Sequence, residues 1–99
     1  MISPTQARRI VRDYLDQLER DTGGEELEVV DAETIEKPFG WVFVYNSRAY
    51  LRTGEFSDRL AGNAPLIVDR ETGKLHVTGT AKPVEDYIAE YEAAKTRSR

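Results

Sequence analysis

The fold of this chain is decided by the stretch Gly-Trp-Val-Phe-Val-Tyr-Asn-Ser at residues 40–47. Its centre, residues 41–45, is apolar throughout and consists of the aromatic and β-branched residues that favour strands. Successive side chains of a strand point to opposite faces of a sheet, so this strand is apolar on both faces. We therefore expect a central strand, with one face under the helices and the other covered by something else.

A bent strand is predicted before this stretch. Residues 27–31 form a short strand candidate, and residues 34–37 continue it past a bend or bulge at residues 31–33. Pro38 marks the end of the strand or places it at an edge, because proline cannot donate to a sheet ladder.

Two more strands are predicted after it. Residues 46–47 either turn the chain or belong to a strand that runs on to residue 51. Residues 54–63 have the composition of a loop with room for one helical turn. Residues 66–68 and 75–77 then form a hairpin across a short loop that contains glycine near its end.

Amphipathic helices flank the strands. Ser3, Pro4 and Gln6 form a helix start, with a serine cap, proline at the first helical position and a capping-box glutamine. Apolar residues then recur at steps of three and four until two glycines, at 23 and 24, end the helix. Pro83 opens a second helix, and a disordered tail is predicted at about residues 95–99.

The order of elements is therefore helix, three or four strands, helix. Short connections favour antiparallel neighbours, because a parallel pair needs a crossover of about a dozen residues or more. We predict an α+β fold that forms one domain over residues 1–99. It comprises an N-terminal helix, an antiparallel meander of about four strands and a C-terminal helix, with both helices packed on one face of the sheet.

Composition excludes several classes of protein. The 99 residues include no cysteine, which excludes disulfides, thiolate zinc sites and a cysteine nucleophile. No apolar run approaches the roughly 18 residues of a membrane span, and no signal peptide follows Met1. The formal net charge is −4, and the basic residues are scattered apart from Arg8-Arg9 and the C-terminal tail. We expect a cytoplasmic protein that binds neither nucleic acid nor a membrane.

The sequence contains no catalytic constellation. His76 is the sole histidine, so a metal site would lack further imidazole ligands, and we expect a cross-strand or surface residue. The serines have no Gly-x-Ser-x-Gly context and no evident base. Carboxylate pairs such as Glu25-Glu26 are expected to be solvated surface charges. We predict a protein that is not an enzyme and holds no metal or other cofactor.

Two features each leave two interpretations open. Trp41, Phe43 and Tyr45 alternate onto one strand face, where they pack in the core or line an exposed groove that binds a partner. The loop Leu-Ala-Gly-Asn-Ala-Pro at residues 60–65 is either a rigid turn that starts the next strand or a binding loop.

A partner-binding surface is predicted from acidic and aromatic residues in the segments that flank the central strand, where contacts are easily presented. Acidic residues form its rim, around an apolar centre near Tyr50 and Phe56. The candidate residues are Glu33, Glu36, Tyr50, Glu55, Phe56, Asp58 and Asn63.

Three phrases of the sequence carry a family resemblance. They are Glu-Lys-Pro-Phe-Gly-Trp-Val-Phe at 36–43, Leu-Ala-Gly-Asn-Ala-Pro at 60–65 and Asp-Arg-Glu-Thr-Gly at 69–73. With them the chain resembles the bacterial YrhB family, also called immunity protein 35. The resemblance implies a non-enzymatic immunity protein that neutralises a cognate polymorphic toxin by binding it, and an acidic inhibitor suits a basic toxin domain. The alternative that the resemblance offers is a small heat-shock chaperone that holds unfolded clients.

Overall fold

The computed structural model describes residues 1–55, 57 and 63–97. The elements are α1 (Pro4–Asp21), β1 (Leu27–Val29), a 3-10 helix (Asp31–Glu33), β2 (Ile35–Lys37), β3 (Gly40–Phe43), β4 (Tyr45–Ser47), α2 (Arg48–Thr53), β5 (Leu66–Asp69), β6 (Leu75–Val77) and α3 (Val84–Arg97). The predicted α+β class, with a helix before the antiparallel strands and a helix after them, is confirmed.

The first helix begins as its sequence predicts. The Ser3 hydroxyl accepts a hydrogen bond from the Gln6 backbone N–H at 3.1 Å, and the Gln6 side chain accepts one from the Ser3 backbone at 2.8 Å. This reciprocal pair is a capping box, with Pro4 at the first helical position. Ala7, Val11 and Leu15, spaced four residues apart, are the buried residues of α1, so one face of the helix meets the core.

A long bent ribbon joins the first four strands. β1 pairs antiparallel with β4, and β2 pairs antiparallel with β3. The 3-10 helix lies between β1 and β2, where the backbone N–H of Val30 donates to the carbonyl oxygen of Val44 at 2.8 Å. The bend predicted at residues 31–33 is therefore confirmed, and it takes the form of a 3-10 turn.

The strands form two sheets. One has four antiparallel strands in the order β2-β3-β5-β6, and the other consists of β1 and β4. The hairpin between β5 and β6 closes through Gly73, whose φ of 74° is left-handed as the sequence predicts. The bend after Phe43 carries β4 out of the larger sheet to pair with β1.

The two long helices cover opposite faces of the larger sheet, so the prediction that both pack on one face is wrong. The core on the α1 side contains Trp41, Phe43, Leu66 and Val68. The core on the α3 side contains Val42 and Ile67, together with Ile88 of the helix. Every residue of β3 and β5 is buried, so both faces of these strands need an apolar cover and each face takes one helix.

Residues 46–51 differ from both predicted alternatives. The strand ends at Ser47, whose hydroxyl accepts a hydrogen bond from the Tyr50 backbone N–H at 3.1 Å and so caps α2. Gly54, with a φ of 72°, then ends this short helix. The helical turn suggested within the following loop lies mostly outside the described residues.

The C-terminal helix extends further than predicted. It continues through Arg97, so residues 95–97 are helical and do not belong to a disordered tail. Lys95 binds the buried carboxylate of Asp69, which explains why the helix persists there. Residues 98–99 lie outside the described residues.

Candidate functional site

The structure separates the predicted partner-binding residues into two groups. Glu36 lies on β2 opposite Trp41, and Tyr50 and Glu55 lie in and just after α2, beyond the far end of β4. The chain from Trp41 to Ser47 covers up to roughly 20 Å along two strands, with a bend after Phe43. Glu36 and the residues at α2 therefore lie at opposite ends of this strand ribbon.

Glu36 belongs to a small cluster around Trp41. Its carboxylate accepts a hydrogen bond from the Arg70 guanidinium at 3.1 Å, and that guanidinium also donates to the carbonyl oxygen of Lys37 at 3.0 Å. The Arg70 guanidinium carbon lies 4.5 Å from the centre of the Trp41 ring, a cation–π distance. Arg70 thus covers one edge of the core, and Glu36 lies on the outer side of Arg70.

The remaining predicted residues have different surroundings. Glu33 is exposed at the end of the 3-10 helix. Asn63 is half-buried, and its side-chain amide donates to the carbonyl oxygen of Tyr45 at 2.6 Å. This bond fixes the chain before β5 to β4, whereas residues 60–62 of the predicted loop lie outside the described residues. Phe56 and Asp58 lie outside the described residues.

The aromatic row of the central strand lies in the core. Trp41 and Phe43 are each 3% exposed, and Tyr45 is 5% exposed. Burial, together with the nearby Tyr14, raises the pKa of the Tyr45 phenol above its usual range. The interpretation of this row as core packing is confirmed, and its interpretation as an exposed binding groove is wrong.

A concave surface that the sequence did not predict lies between α1, β1 and the start of α2. It is an open groove of about 820 Å³, and we call it the arginine groove. The residues that line it are Thr5, Arg8, Arg9, Arg12, Asp13, Glu28, Val29 and Arg48. Arg8-Arg9 stands out in the sequence, but only the antiparallel pairing of β1 with β4 brings Arg48 beside α1.

Arg12 is held by several acceptors at the inner end of this groove. Its guanidinium donates to Asp16 at 2.9 Å, to Glu19 at 2.6 Å and to the carbonyl oxygen of Leu27 at 2.8 Å. Glu19 also accepts the backbone N–H of Leu27 at 2.9 Å. Arg12 therefore ties α1 to the beginning of β1.

The other three arginines differ in how they are held. Arg8 donates from two nitrogens to the two carboxylate oxygens of Asp31, at 2.9 and 2.8 Å, and Arg48 binds Glu26. The Arg9 guanidinium is exposed and has no hydrogen-bond or ion-pair partner among residues 1–55, 57 and 63–97. The groove thus contains three fixed guanidinium groups and one that is free within the described chain.

A second polar cluster lies under α3. Asp69 is 4% exposed and accepts hydrogen bonds from Lys95 at 2.6 Å and from the Tyr91 hydroxyl at 2.5 Å. The backbone N–H groups of Glu71 and Thr72 donate to its other oxygen at 2.8 and 3.1 Å. Burial alone would raise the pKa of Asp69, but these donors outweigh it and hold the pKa well below its usual range.

The aromatic contacts of this cluster also involve the only histidine. Burial, and after it the bond to Asp69, raises the pKa of Tyr91 above its usual range. The ring of Tyr91 meets His76 edge-on at 5.1 Å and lies 4.9 Å from Phe39. His76 is exposed on β6 opposite Ile67, which confirms it as a surface residue. The cluster fixes α3 to the sheet. Tyr91 and Lys95 both donate to Asp69, so these two side chains have a structural role.

The described residues contain neither a metal-binding cluster nor a helix that could cross a membrane. No three histidine or carboxylate side chains in this part of the chain lie close enough together to hold a metal ion. None of its helices combines the length and the apolar character that a membrane crossing needs.

Comparison with known proteins gives the family. The sequence model of the family described as immunity protein 35 matches residues 5–93. The chain belongs to the immunity protein 35 family. An uncharacterized protein YrhB of Escherichia coli strain K12 is 50% identical over 56 residues, which are 57% of this chain and 60% of that relative. The match thus spans less than two thirds of the relative's length. No solved structure matches the chain.

Membership of this family confirms the resemblance seen in the sequence. The arginine groove and the adjoining α2 together form a concave, exposed surface of the described chain.

Proposed function

We propose that this protein is an immunity protein that neutralises a cognate bacterial toxin by binding it directly. The observation that carries this proposal is the family match over residues 5–93, which covers the six strands of the described residues and most of each long helix. In this proposal the protein acts in the cytoplasm and without catalysis, by covering a surface that the toxin needs.

The α2 region supports a docking role. Tyr50 is half-buried, Leu51 is 39% exposed, and Glu55 is exposed just after the helix. An aromatic and an aliphatic side chain beside a charged rim is the usual composition of a protein interface. We include Tyr50 and Glu55 in the docking surface, with Glu33, Phe56, Asp58 and Asn63 as further proposed contacts and Glu36 as a more distant one.

The overall charge favours a basic toxin. With a net charge of −4, the protein attracts a positively charged partner, and this long-range attraction increases the association rate. Exposed acidic residues stand close together before and within β1, at Glu25, Glu26 and Glu28. They lie in the same region as Arg48, so the acidic rim adjoins α2.

The chaperone alternative has no comparable support. It requires an exposed apolar groove for unfolded clients, whereas the aromatic row of β3 and β4 is buried. Among the described residues, the large apolar side chains that are exposed are Met1, Leu51 and Val77, and these belong to three different segments.

Co-expression tests the proposal. A pull-down from the native host yields candidate toxins, and each is then expressed alone and together with this protein. We expect a toxin that arrests growth alone and does not arrest it when this protein is present. Failure to restore growth against every toxin that binds would contradict the proposal. Suppression of the thermal aggregation of unrelated proteins would favour the chaperone.

A further inference from the structure

We propose that the arginine groove receives a carboxylate-bearing segment of the toxin. This inference rests on the proposed function for the identity of the partner, and it adds the chemistry of one contact. The groove is concave, about 820 Å³ in volume, and four of the chain's 14 basic residues line it although the net charge is −4.

Most guanidinium groups of the groove are already positioned by bonds within the protein. Arg8 is held by both oxygens of Asp31, and Arg12 by two carboxylates and a backbone carbonyl. Arg48 binds Glu26, and its backbone N–H also donates to the Glu26 carbonyl oxygen at 2.9 Å. A ligand that binds fixed side chains loses less conformational entropy than one that must order them.

Several N–H donors of these guanidinium groups remain for a ligand. A guanidinium has five N–H donors, and the contacts of Arg8 and Arg48 leave some of theirs unused among the described residues. Arg9 uses none of its side-chain donors there. A carboxylate fits such a group because its two oxygens match two parallel N–H donors.

The acidic residues of the groove favour a protein segment over a nucleic acid. Asp13 and Glu28 also line the groove, and the carboxylates that hold the arginines stand at its border. A continuous phosphate backbone would pass these negative charges at every step and be repelled. A short peptide that presents one or two carboxylates can place them at Arg9 and its neighbours and avoid the acidic positions.

The position of the groove agrees with the docking surface proposed above. Arg48 is the first residue of α2, so the groove continues directly into the helix that carries Tyr50. A toxin that docks on α2 would then find the free Arg9 guanidinium in the adjoining groove. A charged group at a defined position of an interface fixes the orientation of the partner and disfavours other partners.

Peptide titration tests the groove on the purified full chain. The probe is hexaglutamate with blocked ends, and the controls are hexaglutamine and inorganic phosphate, observed through the Nε–H signals of the arginines. We expect saturable shifts at Arg8, Arg9, Arg12 and Arg48, with a dissociation constant of about 1 mM. No saturable shift in the groove, or phosphate binding as tight as the peptide, would overturn the inference.

A pair of variants on the same helix sharpens this test. Arg9→Gln removes the free guanidinium, whereas Arg20→Gln removes an exposed arginine that binds Gln17 outside the groove. We expect Arg9→Gln to weaken peptide binding about fivefold and Arg20→Gln to change it less than about twofold. If the two variants weaken peptide binding equally, the affinity depends only on the net charge of the protein, and this result would overturn the proposed site.

The recovered toxin separates this inference from the proposed function. If the wild-type protein neutralises the toxin, Arg9→Glu should weaken the complex at least about tenfold, and Arg20→Glu should weaken it far less. Neutralisation with equal effects of both variants would overturn the groove and leave the proposed function standing. Failure to neutralise any toxin would overturn the function, and the peptide titration then decides the groove alone.

Discussion

Lys95, near the end of α3, donates a hydrogen bond at 2.6 Å to the buried carboxylate of Asp69, at the end of β5. The Tyr91 hydroxyl, one helical turn earlier, donates to the same oxygen. α3 otherwise contacts the sheet through a few apolar residues, among them Ile88, so this polar anchor contributes substantially to holding the helix in place.

Loss of the Asp69 charge should therefore destabilise the fold. Asp69→Asn removes the nearer and buried carboxylate of the two that Lys95 binds, the other being Glu71 at 3.5 Å, and we expect a decrease of about 2–4 kcal/mol in the free energy of unfolding. Urea unfolding measures it. Glu92→Gln, at an exposed position of the same helix, is the matched control and should change stability by less than about 0.5 kcal/mol. Similar stabilities for the two variants would contradict the anchor.

The bond between Asp69 and Lys95 also predicts that the stability of the fold depends on pH. The folded-state pKa of Asp69 is depressed below its ordinary value of 3.8. The contribution of Asp69 to the free energy of unfolding is complete above the pKa that its carboxyl has in the unfolded state. It is lost as the pH falls through that pKa toward the lower pKa of the folded state. The stability difference between wild type and Asp69→Asn should shrink as the pH falls below about 4. Unfolding at a series of pH values tests this, and a constant difference would contradict it.

The origin of this anchor explains why it was not predicted. Asp69 stands at the start of a turn and Lys95 within a charged C-terminal segment, so each has the sequence context of a surface residue. Only the packing of α3 on the face formed by Val42 and Ile67 brings them together. The sequence did indicate that both faces of the central strand need a cover, but its pattern does not assign a helix to each face.

Local signals allowed the rest of the fold to be predicted, and they failed where two of them overlapped. The capping box at Ser3 and the left-handed turn at Gly73 are encoded by neighbouring residues, and both occur as expected. Ser47 is at once the last residue of β4 and the cap of α2, and a serine after a strand does not distinguish a turn from a helix start. The arginine groove depends on strand pairing that brings Arg48 to α1, so no local pattern predicts it.

Trp41 provides a test of the core. It is 3% exposed under α1, and Trp41→Ala should lower the free energy of unfolding by about 3–5 kcal/mol. Val77→Ala, at a position that is 53% exposed, should cost less than about 1 kcal/mol. Denaturant unfolding compares the two. A midpoint for Trp41→Ala close to that of wild type would show that the ring lies at the surface.

Substitutions at the two ends of the strand ribbon allow the docking surface to be located. Glu55→Lys should slow association with the recovered toxin and reduce its salt dependence, because it reverses a charge beside α2. Tyr50→Ala should speed dissociation, equivalent to a loss of about 1–2 kcal/mol in binding. Binding kinetics measure both, after thermal unfolding has shown that each variant is folded.

Glu36→Lys is the matched comparison for those variants. It reverses a charge at the opposite end of the ribbon, so it should change association less than Glu55→Lys does. A larger effect at Glu36 would move the docking surface to the Trp41 end. If all three variants bind the toxin as the wild type does, the docking surface lies on the exposed faces of the long helices.

Titration of the purified toxin with this protein tests the central claim most directly. Direct neutralisation predicts that the toxin's activity falls linearly with added protein and reaches zero at about one equivalent, because each bound toxin is inactive. Full toxin activity in the presence of saturating protein, with complex formation verified in the same sample, would contradict the claim.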